Sequence, residues 1–288
     1  NPAAYTVTLI ITDVNGCKTI SSVTITQPTA LTITSAQTNV TCNGLCNGSA
    51  SITGGGGTAP YTYKWSTSAT AQTISSLCAG TYTGTIRDAN NCFTKATITI
   101  TQPAALTITS AQTNVTCNGL CNGSASITGG GGTVPYTYKW SNGATTQTIS
   151  SLCEGTYTGT IRDANNCFTL ATVTITQPAA VTVSIASTNL TVNGASNGAA
   201  TAAASGGTAP YTYKWSTTAT TPGISGLSSG TYTVTATDAN GCATTATVTI
   251  TEPGSVILVT ASTNVSCNGG NNGTATATAS GGVAPLTY

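Results

Sequence analysis

The chain has 288 residues, only 13 of them charged (seven Lys or Arg and six Asp or Glu), with a net charge of +1 and no His or Met. Nucleic acids and anionic membrane surfaces are bound by an excess of Lys and Arg, which this chain lacks, so its composition argues against both partners. Apolar runs such as "VTLII" are too short to cross a bilayer. Thr is abundant along the whole sequence, so we expect hydroxyl groups rather than charged groups to make the protein surface hydrophilic.

One segment recurs along the chain with a constant period. The stretch "GGTAPYTYKWS" at 56–66 returns at 206–216, and as "GGTVPYTYKWS" at 131–141. A fixed period of about 75 residues indicates one unit copied in tandem. Cutting after each Gln-Pro or Glu-Pro predicts five segments: 1–28, the C-terminal part of a divergent repeat; repeat 1, 29–103; repeat 2, 104–178; repeat 3, 179–253; and 254–288, the N-terminal part of a further repeat.

Within a repeat, apolar and polar residues alternate with a period of two. In chain order, the runs "LTITSAQTNV", "SASIT", "PYTYKW", "QTISSL", "GTYTGTIRD" and "FTKATITIT" are rich in Thr, Ile, Val and Tyr and are bounded by Gly, Asn and Pro. These are signals of short strands joined by turns. Six or seven strands per repeat predict an all-β fold, a tandem array of antiparallel β-sandwiches of the immunoglobulin type.

Aromatic side chains are the predicted core. Tyr61, Tyr63 and Trp65 share one face of a strand, which we assign to the core in preference to an aromatic binding platform. Tyr82 stands where sandwich folds place the tyrosine of a corner. The equivalent residues in the other repeats are Trp140, Trp215, Tyr157 and Tyr232.

Two loops invite other interpretations. The sequence "DANNC" at 88–92, repeated at 163–167 and as "DANGC" at 238–242, predicts the turn of the last hairpin. Calcium binding is the alternative there, but calcium requires several carboxylates and each repeat offers one Asp at this turn. The glycines of 53–58 resemble a phosphate-binding loop but lack the Lys-Ser/Thr that such loops need.

Comparison of the repeats predicts one type of disulfide bond. Repeats 1 and 2 have four cysteines each, whereas repeat 3 keeps only Cys242 and has Ser196 and Ser228 where repeat 1 has Cys46 and Cys78. Because these two positions change together, we pair Cys46 with Cys78, and likewise Cys121 with Cys153. A zinc site is disfavoured, since without His it would need four thiolates that repeat 3 lacks.

The remaining cysteines leave two pairings open. Bonds within a repeat would join Cys42 to Cys92 and Cys117 to Cys167, tying the edges of one sandwich, and we favour these. Cys17 and Cys267 would then have partners outside the printed sequence. The alternative joins neighbours across the Gln-Pro linker, as Cys17–Cys42, Cys92–Cys117 and Cys242–Cys267. Disulfides of either kind predict an oxidising compartment outside the cell.

The ordered elements "CNG", "PYTYKWS", "GTYT", "DANGC" and "TITQP" resemble the SprB-type repeat of surface adhesins from gliding Bacteroidota, which is related to PKD-like sandwich modules. The resemblance covers essentially all of 29–288. It implies a very long cell-surface protein, exported by a type IX system and used for adhesion and movement.

Three non-catalytic functions follow from these features. The first is a structural stalk or filament that spaces an adhesive tip; the second is a multivalent array binding surface glycans; the third is a fibre of identical chains. Neighbouring repeats of the same chain are the expected partners in each. We expect no enzyme activity and no cofactor, because His is absent and no nucleophile has an evident base.

Overall fold

A computed structural model describes residues 4–287, and every regular secondary-structure element in that range is a β-strand. The ends of the two predicted flanking segments, 1–3 and 288, lie outside the described residues. The flanking hairpins are β1 Tyr5–Thr12 with β2 Lys18–Ile25, and β21 Ile257–Thr263 with β22 Thr274–Ser280. The strands of repeat 1 are β3 Thr32–Thr38, β4 Gly48–Gly55, β5 Thr62–Trp65, β6 Thr73–Leu77, β7 Gly80–Arg87 and β8 Phe93–Ile100. Those of repeat 2 are β9 Thr107–Thr113, β10 Gly123–Gly130, β11 Thr137–Trp140, β12 Thr148–Leu152, β13 Gly155–Arg162 and β14 Phe168–Ile175. Those of repeat 3 are β15 Thr182–Thr188, β16 Gly198–Ser205, β17 Thr212–Trp215, β18 Gly223–Leu227, β19 Gly230–Thr237 and β20 Ala243–Ile250.

Repeat 1 is a sandwich of two three-stranded antiparallel sheets, with strand orders β3-β4-β6 and β5-β7-β8. Apolar residues of the alternating sequence are buried and the polar residues between them are exposed. Along β8, for example, Ile98 and Ile100 are buried while Thr97 and Thr99 are exposed. Repeat 3 has the same two sheets, β15-β16-β18 and β17-β19-β20. The predicted fold class, tandem all-β sandwiches of the immunoglobulin type, is confirmed.

In repeats 1 and 3 the core lies between the two sheets and packs around one tryptophan. Trp65, Trp140 and Trp215 are 2%, 1% and 2% exposed. The tyrosines at 82, 157 and 232 are half-buried, and the hydroxyl of Tyr82 donates a hydrogen bond to the carbonyl of Cys78, four residues earlier, at 3.0 Å. The tyrosine therefore ties the turn before β7 to the start of that strand.

Residue contacts divide the chain into two compact units. The first comprises Asn1–Ser110, Ile127–Gln147 and Thr158–Thr172, and the second comprises Ala111–Ser126, Thr148–Tyr157 and Val173–Tyr288. Repeat 2 contributes to both. In the first unit β11 pairs with β13, and in the second β10 pairs with β12.

Candidate functional site at the repeat junctions

The loop between β3 and β4 lies against the end of its own repeat. The amide of Val40 donates to the carbonyl of Thr101 at 3.0 Å, directly after β8. The amide of Gly44 donates to the Gln102 side-chain oxygen at 2.8 Å, and the Asn43 side chain donates to the carbonyl of Pro103 at 3.0 Å. The loop that carries Cys42 is therefore held at the Gln-Pro linker.

The "DANNC" turn of repeat 2 lies at the other side of the same linker. Asp163 is buried and fixes the turn, because its Oδ1 accepts the amides of Asn165 and Cys167, both at 2.9 Å. Its Oδ2 accepts the amide of Thr133 at 3.0 Å, and the preceding residue, Gly132, donates its amide to the carbonyl of Ala104 at 3.0 Å. The turn is thus anchored at the residue that begins repeat 2.

A disulfide bond joins these two elements across the linker. Cys42 is bonded to Cys167 with a Cα–Cα distance of 5.7 Å and a sequence separation of 125 residues. Beside it, the Asn165 side chain donates to the carbonyl of Thr41 at 3.0 Å. The end of one repeat is therefore joined covalently to the start of the next.

The same junction recurs between repeats 2 and 3. Cys117 is bonded to Cys242 with a Cα–Cα distance of 5.6 Å and the same separation of 125 residues. The Asn240 side chain donates to the carbonyl of Thr116 at 3.2 Å. The Asn118 side chain donates to the carbonyl of Pro178 at 3.1 Å, as Asn43 does to Pro103.

The third junction keeps the hydrogen bonds between the loop and its own linker, but the position of the bridging cysteine is taken by valine. Val192 occupies the position of Cys42 and Cys117. The Asn193 side chain still donates to the carbonyl of Pro253 at 2.9 Å, and the amide of Gly194 donates to a carboxylate oxygen of Glu252 at 2.8 Å.

The pairing predicted within a repeat is therefore wrong. Cys42 is not bonded to Cys92, because its loop lies beside Thr101 at the end of β8, whereas Cys92 precedes the start of β8. A strand of this length separates its two ends by roughly 26 Å, while a disulfide needs Cα atoms within about 7 Å.

Cys117 and Cys167 are likewise bonded to other partners, and the alternative pairing between linker neighbours is absent too, since Cys17, Cys92 and Cys267 are exposed and unpaired. One signal pointed to the observed arrangement: repeat 3 retains Cys242 although it has lost its own counterpart of Cys42.

The inner disulfides join the positions chosen from the sequence. Cys46 is bonded to Cys78 and Cys121 to Cys153, each over 32 residues. In repeat 3 the hydroxyls of Ser196 and Ser228 lie 2.9 Å apart in a hydrogen bond, so the fold accommodates serine at both positions.

The aspartates of the turns are engaged by the backbone. For Asp238, burial alone would raise the pKa, but hydrogen bonds from the amides of Thr208, Cys242, Asn240 and Gly241 outweigh it and hold the pKa below its ordinary value. Within 4–287 no three His, Cys, Asp or Glu side chains are close enough to hold a metal ion. These carboxylates therefore act as turn-forming acceptors.

Shallow grooves lie at the junctions. One is lined by Cys42, Leu45, Leu106, Cys167 and Phe168 among others, and another by Cys117, Leu120, Val181 and Cys242. The reactive group among the lining residues is the disulfide itself, and these residues include no nucleophile paired with a base. In the part of the chain that the structure describes, no helix is long and apolar enough to span a membrane.

The fold and its junctions define a modular protein, a tandem array of immunoglobulin-like β-sandwich repeats. The recurring segment is similar to the SprB repeat: the profile of that family matches four times, at 34–70, 109–145, 184–220 and 259–288, just under half of the chain in total. No curated protein sequence matches the chain.

Solved structures that match include the N-terminal eight Ig domains of Down Syndrome Cell Adhesion Molecule isoform 1.30.30, at 9% identity and a TM-score of 0.31. That match covers 96% of this chain and 54% of the other, so the chain spans about half of its length. Another is the complex of Dpr2 Ig1-Ig2 with DIP-Theta Ig1-Ig3, at 12% identity and a TM-score of 0.27, covering 76% of this chain and 98% of that one.

Proposed function

We propose that the chain is a non-catalytic structural repeat region, a stalk or filament, of a large extracellular bacterial adhesin. The observation that carries the proposal is the junction, where hydrogen bonds and a disulfide join the end of one sandwich to the start of the next. A binding module has no need to join its neighbours covalently, whereas a spacer that transmits force does. The chain would hold an adhesive tip away from the cell.

Two further observations support an extracellular location. Four disulfides indicate an oxidising compartment, since such bonds are rare in the cytosol. The SprB repeat also fits a surface adhesin, with gliding and type IX export as the expected context.

A glycan-binding array is the second candidate, and exposed aromatic residues favour it. Phe93 and Phe168 follow the "DANNC" turns with 57% and 61% of their surface exposed, flanked by Arg87 and Arg162 at 5.2 and 4.9 Å from the ring centres. Aromatic rings with more than half of their surface exposed are available for contact with sugar rings. Repeat 3 has Ala243 at this position, so it would be the inactive member of such an array.

A glycan array separates the two functions. The structural role predicts no saturable binding by the oxidised chain. The rival predicts binding that rises with repetition and is lost in the variant Phe93→Ala/Phe168→Ala. Thr97→Ala/Thr172→Ala is the control, because it changes exposed positions of β8 and β14 without removing an aromatic ring.

The fibre of identical chains is tested by sedimentation. A near-neutral surface lacks charge repulsion between copies, so association that increases with concentration would support a fibre. A monomer at all concentrations would support the single-chain stalk.

A further inference from the structure

The disulfides of neighbouring junctions overlap along the sequence. The first closes 42–167 and the second closes 117–242, so the second begins before the first has ended. Within the overlap lies the inner bond of repeat 2, which joins Cys121 to Cys153. Together the three bonds connect distant parts of the chain by a short covalent path. The path passes through the cysteines in the order Cys42, Cys167, Cys153, Cys121, Cys117 and Cys242.

The path contains very little polypeptide. Only two short segments belong to it, 153–167 and 117–121. Along the backbone, by contrast, the whole of 43–241 lies between Cys42 and Cys242. We propose that these bonds form a covalent bypass that carries tension past most of each sandwich and limits how far the chain can be stretched.

The limit follows from the length of an extended chain. At about 3.5 Å per residue and about 5.5 Å for each bridge, the path between Cys42 and Cys242 extends to roughly 80 Å, against about 700 Å for the unbridged backbone. Unfolding the sandwiches cannot lengthen this path, because β4 to β8 of repeat 1 and β15 to β19 of repeat 3 lie outside it. Of the strands between Cys42 and Cys242, the tension passes through β13 alone.

The two inner disulfides differ in this respect although they are equivalent in the fold. Cys121–Cys153 lies on the path, whereas Cys46–Cys78 lies inside the bypassed part of repeat 1. The existence of the covalent path depends only on the three disulfide bonds. The inference that this path carries tension in the cell depends on the proposed structural role. Glycan binding by a chain of the predicted length would therefore contradict that role without contradicting the path.

Stretching single molecules held at both termini tests the bypass. The oxidised chain has about 105 residues on its shortest path, giving a contour length of about 380 Å, which rises to about 1,000 Å after reduction. Bonds within repeats, Cys42–Cys92 and Cys117–Cys167, would leave about 187 residues and about 670 Å. An oxidised chain with the length expected for bonds within repeats would overturn the proposal.

A matched pair of variants makes the test independent of the absolute length. Cys121→Ser/Cys153→Ser should lengthen the oxidised chain by about 80 Å, because the shortest path then crosses the bond Cys46–Cys78 and follows the backbone from Cys78 to Cys117. Cys46→Ser/Cys78→Ser should leave the length unchanged. Both variants install the serine pair that repeat 3 already carries at 196 and 228, so folding is preserved in each. Equal effects of the two variants, or no effect of either, would contradict the bypass.

Discussion

At the scale of single residues, the repeats show a compensating exchange in the core. A Cβ atom on Gly84 would lie 2.8 Å from Cδ1 of Ile52 and 3.1 Å from the ring of Trp65, closer than the core allows. Repeat 3 has Val234 in place of this glycine, and it has Ala202 in place of the isoleucine. The volume lost at one position is regained at the other, beside the same tryptophan.

Single changes at this pair should therefore destabilise repeat 1, and the double change should do so less. We expect Ile52→Ala to lower the free energy of unfolding by about 2–5 kcal/mol through a cavity, and Gly84→Val by about 1–3 kcal/mol through overpacking. In the double variant the valine fills the cavity, giving a favourable coupling of about 1–3 kcal/mol. Hydrogen exchange of the amides in β4 and β7 measures the free energy of unfolding of all three variants. Strictly additive effects would contradict the proposed compensation between positions 52 and 84.

A second residue-scale prediction concerns Asp238, whose pKa is lowered in the fold. A lowered pKa stabilises the folded state above the unfolded value of about 3.9, and this stabilisation is lost as the pH falls through the folded pKa. We expect Asp238→Asn to destabilise repeat 3 near neutral pH, because its amide would oppose the amide of Thr208. The two proteins should begin to converge as the pH falls below about 4, and they should reach equal stability once the pH is below the folded pKa of Asp238. Thermal unfolding between acid and neutral pH measures this, and a difference that persists in acid would argue against it.

At the scale of elements, the inner disulfide distinguishes repeat 3 from repeat 1. The bond Cys46–Cys78 closes a loop across β4, β5 and β6, whereas Ser196 and Ser228 are joined by a hydrogen bond alone. Constraining a loop of this length in the unfolded state is worth roughly 3–4 kcal/mol in the chain-entropy model. In mild denaturant, repeat 3 should therefore open before repeat 1.

Restoring the bond should remove that difference. We expect Ser196→Cys/Ser228→Cys to raise the free energy of unfolding of repeat 3 by roughly 3–4 kcal/mol under oxidising conditions. Hydrogen exchange in denaturant, resolved by repeat, gives the measurement. The same variant under reducing conditions is the control and should behave like the parent chain. A repeat 3 that is already more resistant than repeat 1 in the oxidised parent would contradict the role assigned to the inner bond.

At the scale of the whole molecule, the disulfide network makes a distinctive prediction for digestion by trypsin. The seven cleavage sites are Lys18, Lys64, Arg87, Lys95, Lys139, Arg162 and Lys214. Without reduction, peptide 163–214 should remain linked to 19–64 through Cys42–Cys167, and 215–288 to 96–139 through Cys117–Cys242. Mass spectrometry identifies the linked sets, and reduction separates them. Recovery of 163–214 linked to 96–139 would restore the pairing within a repeat.

Much of the fold could be predicted from the sequence because the same repeat occurs several times and its copies can be compared. Alternation with period two predicted the strands, and the tryptophan of "PYTYKW" predicted the centre of each core, since both depend on neighbours a few residues apart. The serines at 196 and 228 pointed to the inner disulfide, because two positions that change together in one repeat are expected to be in contact. The repeat boundaries, 29–103, 104–178 and 179–253, remain a prediction from the period of the sequence.

The partner of Cys42 was decided by the tertiary structure, although the retention of Cys242 in repeat 3 was a hint in the sequence. Spacing along the sequence cannot tell at which end of β8 the loop after β3 will lie, and this depends on hydrogen bonds to Thr101, Gln102 and Pro103. Those bonds place Cys42 at the linker, beside a turn fixed by Asp163 in the following repeat. A contact across 125 residues between two successive folded bodies leaves no periodic signal within either one. It exists only because each sandwich presents one loop at its end and one turn at its beginning.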